Sequence, residues 1–390
     1  MDGRKVSALA NAPLKVLFVL GTRPEAIKLA PVLRRFREHP QAFETRLVVT
    51  GQHRDLLDNA LDTFAMSPDY HLDIMRPGQS LFESTSRIVT ALEPVLVKED
   101  PDLMLVQGDT TTTLCGALGG FYRAIPVGHV EAGLRTGDFE QPFPEEMNRV
   151  LIAHLSTLHF ASTEAAGENL RREGVKADRI FVTGNTGIDV LIETRAALLS
   201  GRLRAEGLPE LDSRKKLILV TAHRRESFGK GLEQICQALA ALAARSDVEI
   251  VFLMHPNPNV RNVANRLLGN CTTIKLIDPL AYVPFVELMS RAHVLLTDSG
   301  GIQEEGPSLG KPVLIMREKT ERPEAVVAGT ARLTGTDPAR IVAETVLLLE
   351  NDAEYLRRSR IDNPFGDGRA SARILHIIRS HFNILRTQIV

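Results

Sequence analysis

The feature that most constrains this chain is a punctuated alternation. Short apolar runs rich in β-branched residues end in glycine or a polar cluster, and a longer amphipathic stretch follows each one. The first run, residues 14–20, closes at Gly21-Thr22-Arg23-Pro24-Glu25. Pro24 suits the first turn of a helix, where a missing N–H costs nothing. Further runs at 45–50, 103–107, 125–130, 158–161 and 179–183 read as strands, and 81–97 carries apolar residues at helical spacing. The second half repeats the pattern at 216–221, 248–254, 273–277, 293–297 and 312–316. Repeated βαβ units predict an α/β chain of two doubly wound, Rossmann-like halves, each a mostly parallel sheet covered on both faces. Open sheets of this kind bind ligands at the carboxyl ends of their strands. Arg23 sits at such an end beside helix-start amides, which suits an anion such as a diphosphate. A second junction, Thr297-Asp298-Ser299-Gly300-Gly301-Ile302-Gln303-Glu304-Glu305, lies in the other half, so a ligand held between two domains is expected.

The length of 390 residues fits two domains. The polar stretch 193–215, with Gly201, Gly207 and Pro209, predicts the boundary, giving domains at 14–200 and 201–365 after a loose extension at 1–13. A turn cluster at 363–368 leads into a final helix from 369 to about 386. A formal net charge of −1 argues against nucleic-acid or membrane-surface binding, both of which need a basic patch. Cys115, Cys236 and Cys271 have neither metal nor disulfide spacing, which fits a reducing cytoplasm. The first apolar run is too short for a signal core or a membrane span.

No G-x-G-x-x-G follows any strand and no P-loop occurs, so neither a dinucleotide nor P-loop phosphoryl transfer is supported. Gly116 to Gly120 lies in a helical pattern and reads as close helix packing. Four polar clusters remain. Gln107-Gly108-Asp109 runs into four threonines at a strand end; Asp109 or Thr110 would cap the next helix, which accounts for one residue and not for the run. His129 and Glu131 alternate about Val130 and are expected on one side of their strand. H-x-E also occurs in zinc sites, but the P-C-x-x-C partner is missing, so a proton-transfer carboxylate is the better reading. Pro144-Glu145-Glu146 reads as a helix start, with Arg149 placed to pair with Glu145 or to project with it into a cleft. His223-Arg224-Arg225-Glu226 puts cations at a strand end in the second half, and His255 ends another strand. The Ser299-Gly300-Gly301 turn offers three backbone amides as a phosphate nest.

Together these blocks closely resemble the bacterial non-hydrolysing UDP-N-acetylglucosamine 2-epimerases, in order from about residue 14 to 380. They are Gly21-Thr-Arg-Pro-Glu-Ala-Ile-Lys28, Gln52-His-Arg54, Gly108 to Thr113, Gly128 to Gly137, Pro144 to Glu146, His223 to Glu226 and Asp298 to Glu305. The resemblance implies a GT-B architecture with the active site in the interdomain cleft and the helix of 366–390 packed back on the first domain. It implies a cytoplasmic homodimer without NAD or metal. The implied reaction interconverts UDP-N-acetylglucosamine and UDP-N-acetylmannosamine through elimination of UDP and 2-acetamidoglucal, serving cell-surface polysaccharide synthesis. By matching positions, Asp109, Glu131 and Glu145 carry over as acid/base carboxylates. Arg23, Lys28, Arg149 and His223 carry over as charge-stabilising residues. Ser299, Gly300, Gly301 and Glu305 contact UDP, and Phe285 lines the uracil pocket. Gln52, Arg224 and His255 match an activating site for a second UDP-N-acetylglucosamine. The alternatives are a relative acting on a modified UDP-sugar, a hydrolysing epimerase, a glycosyltransferase of the same fold, and a non-catalytic sugar-nucleotide sensor.

Overall fold

The computed structural model describes residues 12–51, 54–74, 76, 78–224 and 227–387. The chain forms two compact units, one of residues 1–190 with 368–390 and one of 191–367. In chain order the first holds β1 (Leu14–Leu20), α1 (Arg23–Arg37), β2 (Phe43–Val49), α2 (Arg54–Thr63), β3 (Tyr70–His71), α3 (Leu81–Glu99), β4 (Leu103–Gln107) and α4 (Thr111–Tyr122). It continues through β5 (Val127–Ala132), α5 (Glu145–Leu155), β6 (Leu158–Ala161), α6 (Glu164–Arg172) and β7 (Ile180–Val182) to the start of α7 (Thr186–Leu199). The second unit holds β8 (Lys216–Ala222), α8 (Lys230–Ala243), β9 (Val248–Met254), α9 (Pro258–Leu268), β10 (Ile274–Ile277), α10 (Tyr282–Arg291) and β11 (Val294–Thr297). Then come α11 (Gly300–Glu305), β12 (Val313–Ile315), α12 (Pro323–Ala328), β13 (Ala331–Leu333), α13 (Pro338–Glu350) and α14 (Asp352–Ser359). The last helix, α15 (Ala370–Thr387), returns to the first unit.

Each unit is a parallel sheet of the expected doubly wound kind. The orders are β3-β2-β1-β4-β5-β6-β7 and β10-β9-β8-β11-β12-β13. In both, the winding reverses between the first strand and the fourth, so the topological switch points lie at β1/β4 and β8/β11. Central strands are apolar on both faces because helices cover both. β9 is buried along its whole length, and Phe252 of that strand sits in a core built from α8, α9 and α13. In the first unit α4 lies close on the sheet because its glycines permit it. A Cβ on Gly116 would come within 2.9 Å of Val106, and one on Gly120 within 2.5 Å of Val127.

The units part at 190/191, inside α7 and ten residues ahead of the boundary at 200/201. Asp189, buried on α7, accepts the amides of Ala370 (3.1 Å) and Ser371 (2.8 Å) and the Ser371 hydroxyl, which holds the start of α15. β5 begins at Val127, two residues later than expected, after Pro126, which cannot donate to the ladder. β3 and β13 are short outer strands without a run long enough to read. No helix among the described residues is long and apolar enough to cross a membrane.

Candidate active site

The carboxyl ends of β1 and β4 are braced by one buried carboxylate. Glu25, in the first turn of α1, accepts the amides of Gly21 (2.8 Å) and Thr22 (2.7 Å). It also accepts the hydroxyls of Thr110 (2.6 Å) and Thr113 (2.7 Å). Burial pushes its carboxyl above the usual range, and these four donors oppose that. Thr112 bonds Thr50 at 2.9 Å directly beneath Gly21, where a Cβ would approach both hydroxyls to 2.3 Å. The threonine run is therefore structural bracing, with Thr110 capping α4 through the Thr113 amide. Two of the helix-start amides proposed for a diphosphate at this junction are already committed to Glu25, which corrects that part of the sequence reading. Arg23 is partly exposed and makes no ion pair among the described residues.

Asp109 is not the cap. Its carboxylate takes Nε of Arg149 at 2.8 Å, and its carbonyl takes the side-chain amide of Asn148 at 2.8 Å. Arg149 pairs on its other side with Glu146 at 2.8 Å, and of the two arrangements the spacing allowed the ion pair with Glu145 is not the one formed. Burial works against the Arg149 charge, but Asp109 and Glu146 outweigh it and hold the guanidinium protonated. Glu146, 1% exposed, also accepts the amides of Thr136 and Gly137 at 2.9 Å each, tying the loop after β5 to α5. Its neighbour Glu145 has the opposite fate: Oε2 is buried and has no hydrogen-bond partner among the described residues. Of two adjacent glutamates on one turn, only Glu145 retains an open acceptor.

The expected alternation of His129 and Glu131 breaks at a bulge. Val130 pairs with Phe160 and Ala132 with Ala161, so Glu131 is the extra residue. Its φ is +67°, a left-handed value that costs a non-glycine residue about 1–2 kcal/mol. Lys28 of α1 meets one carboxylate oxygen at 2.6 Å and the Gln107 side-chain amide meets the other. His129 is engaged separately, its Nε2 donating to the Gly108 carbonyl at 2.7 Å. Burial drives its imidazole down to about 4, so it is neutral at pH 7. Among the described residues no group of three or more His, Cys, Asp or Glu is arranged to hold a metal.

The second unit uses the same device at its own switch point. Asp298, fully buried after β11, accepts the amides of His223 (2.6 Å) and Arg224 (2.7 Å). Nδ1 of His223 lies 3.1 Å from the other oxygen of Asp298, out of line for a hydrogen bond. Burial lowers the affinity of His223 for a proton, and Asp298 opposes that. The ring stacks on His255, 5.9 Å between centroids, and His255 itself is exposed. Arg224 has a buried Nε without a partner among the described residues. Thr297 bonds Thr221 at 2.7 Å and accepts the Ser299 amide at 2.9 Å. The nest therefore offers two amides, Gly300 and Gly301, rather than three. Arg322, which no local sequence signal marks, lies beside them: a Cβ on Gly300 would be 3.6 Å from its guanidinium. It is paired with buried Glu304, so Glu304 is structural, while Glu305 is partly exposed. Phe285 is partly exposed on α10. Gln52 lies outside the described residues.

A profile of the family described as UDP-N-acetylglucosamine 2-epimerase matches residues 34–379. The chain belongs to the UDP-N-acetylglucosamine 2-epimerase family. It is 56% identical to the enzyme of that name from Salmonella typhimurium over 94% of this chain and 99% of the relative. Identity to the Escherichia coli K12 enzyme of the same name is 55% over the same shares. A crystal structure of the Neisseria meningitidis UDP-GlcNAc 2-epimerase, bound to UDP-GlcNAc, matches with a TM-score of 0.86 at 45% identity, covering 94% of this chain and 99% of that one. The two-domain α/β fold read from the sequence is the fold of these family structures.

Proposed function

We propose that this chain interconverts UDP-N-acetylglucosamine and UDP-N-acetylmannosamine without hydrolysis. The C2 proton of such a sugar is not next to a carbonyl, so its removal needs help from the departure of the leaving group. In the proposed first step a carboxylate takes the C2 proton, the C–H electron pair forms a C1=C2 double bond, and the C1–O bond breaks with its pair leaving on the diphosphate of UDP. The second step returns the diphosphate oxygen to C1 and delivers a proton to C2 from the opposite face. No redox partner is consumed.

The observation that carries this reading is a division of charge within a family of UDP-N-acetylglucosamine 2-epimerases. The first unit gathers Asp109, Glu131 and Glu145 at the ends of β4 and β5 and the start of α5. Two are held by cations, and Glu145 keeps an open acceptor. This suits a pair of proton-transfer groups on two faces, each worth about 10²–10⁴ in rate. The second unit gathers His223, Arg224, Arg322 and two glycine amides, a set suited to a departing diphosphate. Glu305 and Phe285 would meet the ribose and the uracil. We read the protein as a cytoplasmic homodimer acting in surface-polysaccharide synthesis, with Arg224 and His255 on a second, activating UDP-N-acetylglucosamine.

The deciding experiment is proton NMR of the protein with UDP-N-acetylglucosamine in deuterated water, with nothing else added. UDP-N-acetylmannosamine carrying deuterium at C2 is the expected product. Free N-acetylmannosamine with UDP identifies a hydrolysing enzyme instead. An unchanged spectrum overturns the reading.

A further inference from the structure

We propose that Gln107 is a positioning residue that fixes the orientation of Glu131 for proton transfer. The inference rests on the proposed role of Glu131. Its starting point is that Glu131 stands on a bulge with φ at +67°, where the strand no longer dictates where its side chain goes. Something else must fix the carboxylate, and two groups do. Lys28 holds one oxygen at 2.6 Å and the side-chain amide of Gln107 holds the other. The lysine ammonium is a rotatable point charge on a long stem and sets no plane by itself. The amide of Gln107 is directional and does not titrate near neutral pH.

Gln107 is itself well placed to act as a fixed reference. It is 3% exposed, the last residue of β4, and paired in register with Val130, directly before the bulge. Its carbonyl lies 2.7 Å from the Thr113 hydroxyl, whose one hydrogen it shares with Glu25, also at 2.7 Å. The threonine brace at the β1/β4 switch point is thereby linked through Gln107 to the carboxylate on β5. Lys28 supplies charge and Gln107 supplies direction.

The test uses two near-isosteric variants of the full-length protein. Gln107→Met keeps the volume and removes the donor; Gln107→Glu keeps the shape and sets a second carboxylate against Glu131. For Gln107→Met, kcat should fall about 10- to 100-fold, as small misplacements of reacting groups do. KM and the affinity for UDP should stay within about threefold. For Gln107→Glu the acidic limb of the pH–rate profile should move to higher pH, because two facing carboxylates share a proton. A merely structural role moves stability and leaves kcat of the folded Gln107→Met variant near that of the parent. A kcat within twofold of the parent in Gln107→Met, or an unmoved limb in Gln107→Glu, overturns the proposal. If Gln107→Met does not fold, Gln107→Asn, which draws the donor back by one methylene, is held to the same limits on kcat and KM. Glu131→Gln separates the two levels: near-normal turnover there removes Glu131 from the mechanism. Inactive Glu131→Gln beside unaffected Gln107 variants removes only the role of Gln107.

Discussion

Two buried histidines make the first unit acid-sensitive in a way that can be worked through. His129 and His159 face each other across β5 and β6, in register, and each is 1% exposed. Nδ1 of each is buried without a partner among the described residues, so neither can hold a second proton comfortably. Burial, with repulsion from His129 and Arg179 on His159 and positive charge from Arg135 and Arg149 on His129, pushes His129 down to about 4 and His159 to about 3. The unfolded chain binds these protons near pH 6.5 and the folded chain does not, so stability falls as pH drops from about 6.5, levelling off below about 4 for His129 and below about 3 for His159. Between pH 7.5 and pH 5 each histidine costs about 2 kcal/mol, about 4 kcal/mol together, relative to the unfolded state. His159→Phe removes one titrating group in a similar volume. Urea unfolding of parent and variant at both pH values, and the protons taken up on unfolding, provide the assay. The variant should lose about 2 kcal/mol less on acidification, and should take up about one proton fewer at pH 5. Equal losses in the two proteins would refute the claim that this pair stays neutral in the fold.

Two further predictions concern the chemistry. Asp109→Asn, Glu131→Gln and Glu145→Gln should each lower kcat at least 100-fold while UDP affinity, measured by calorimetry, stays close to that of the parent; near-normal turnover in any of the three removes that residue. His223→Ala should weaken UDP binding about 10-fold or more, through loss of a group beside Arg224 and the Gly300 turn, and an unchanged Kd contradicts its place in the anion site.

What the sequence made legible follows from what local patterns encode. β1, β4, β8 and β9 were readable because a parallel strand covered on both faces is a largely apolar run, broken in these strands by few polar residues such as Lys15 and Glu249. β3 and β13 were not: Tyr70–His71 is two residues, and Ala331–Leu333 carries an exposed Arg332 in place of the apolar run that marks β7 and β12. Asp109, Glu131 and Glu145 stood out as carboxylates at strand ends or a helix start. Their environments did not. Glu145 and Glu146 are equivalent by composition, and only the packing of α5 shows that Glu146 is consumed by Arg149 and two loop amides. Glu131 leaves the β alternation through a bulge that no residue type announces. Arg322 reaches the Gly300 turn from a different loop, after β12, and such a contact is invisible to spacing.

The two switch points share a construction and differ in one respect that matters for function. Each has a buried carboxylate that absorbs two backbone amides: Glu25 takes those of Gly21 and Thr22, and Asp298 takes those of His223 and Arg224. Each also has a threonine pair joining neighbouring elements, Thr50 with Thr112 and Thr221 with Thr297. In the first unit the carboxylate lies inside the helix that follows β1, so the amides entering that helix are spent internally. In the second unit the carboxylate follows β11 directly and reaches across to the β8 loop, which leaves Gly300 and Gly301 uncommitted at the start of α11. Glu25 thus consumes the two amides just ahead of its own helix, whereas Asp298 spares those of Gly300 and Gly301. Under the proposed elimination, the switch point of the second unit is the one whose spare amides would suit a departing diphosphate.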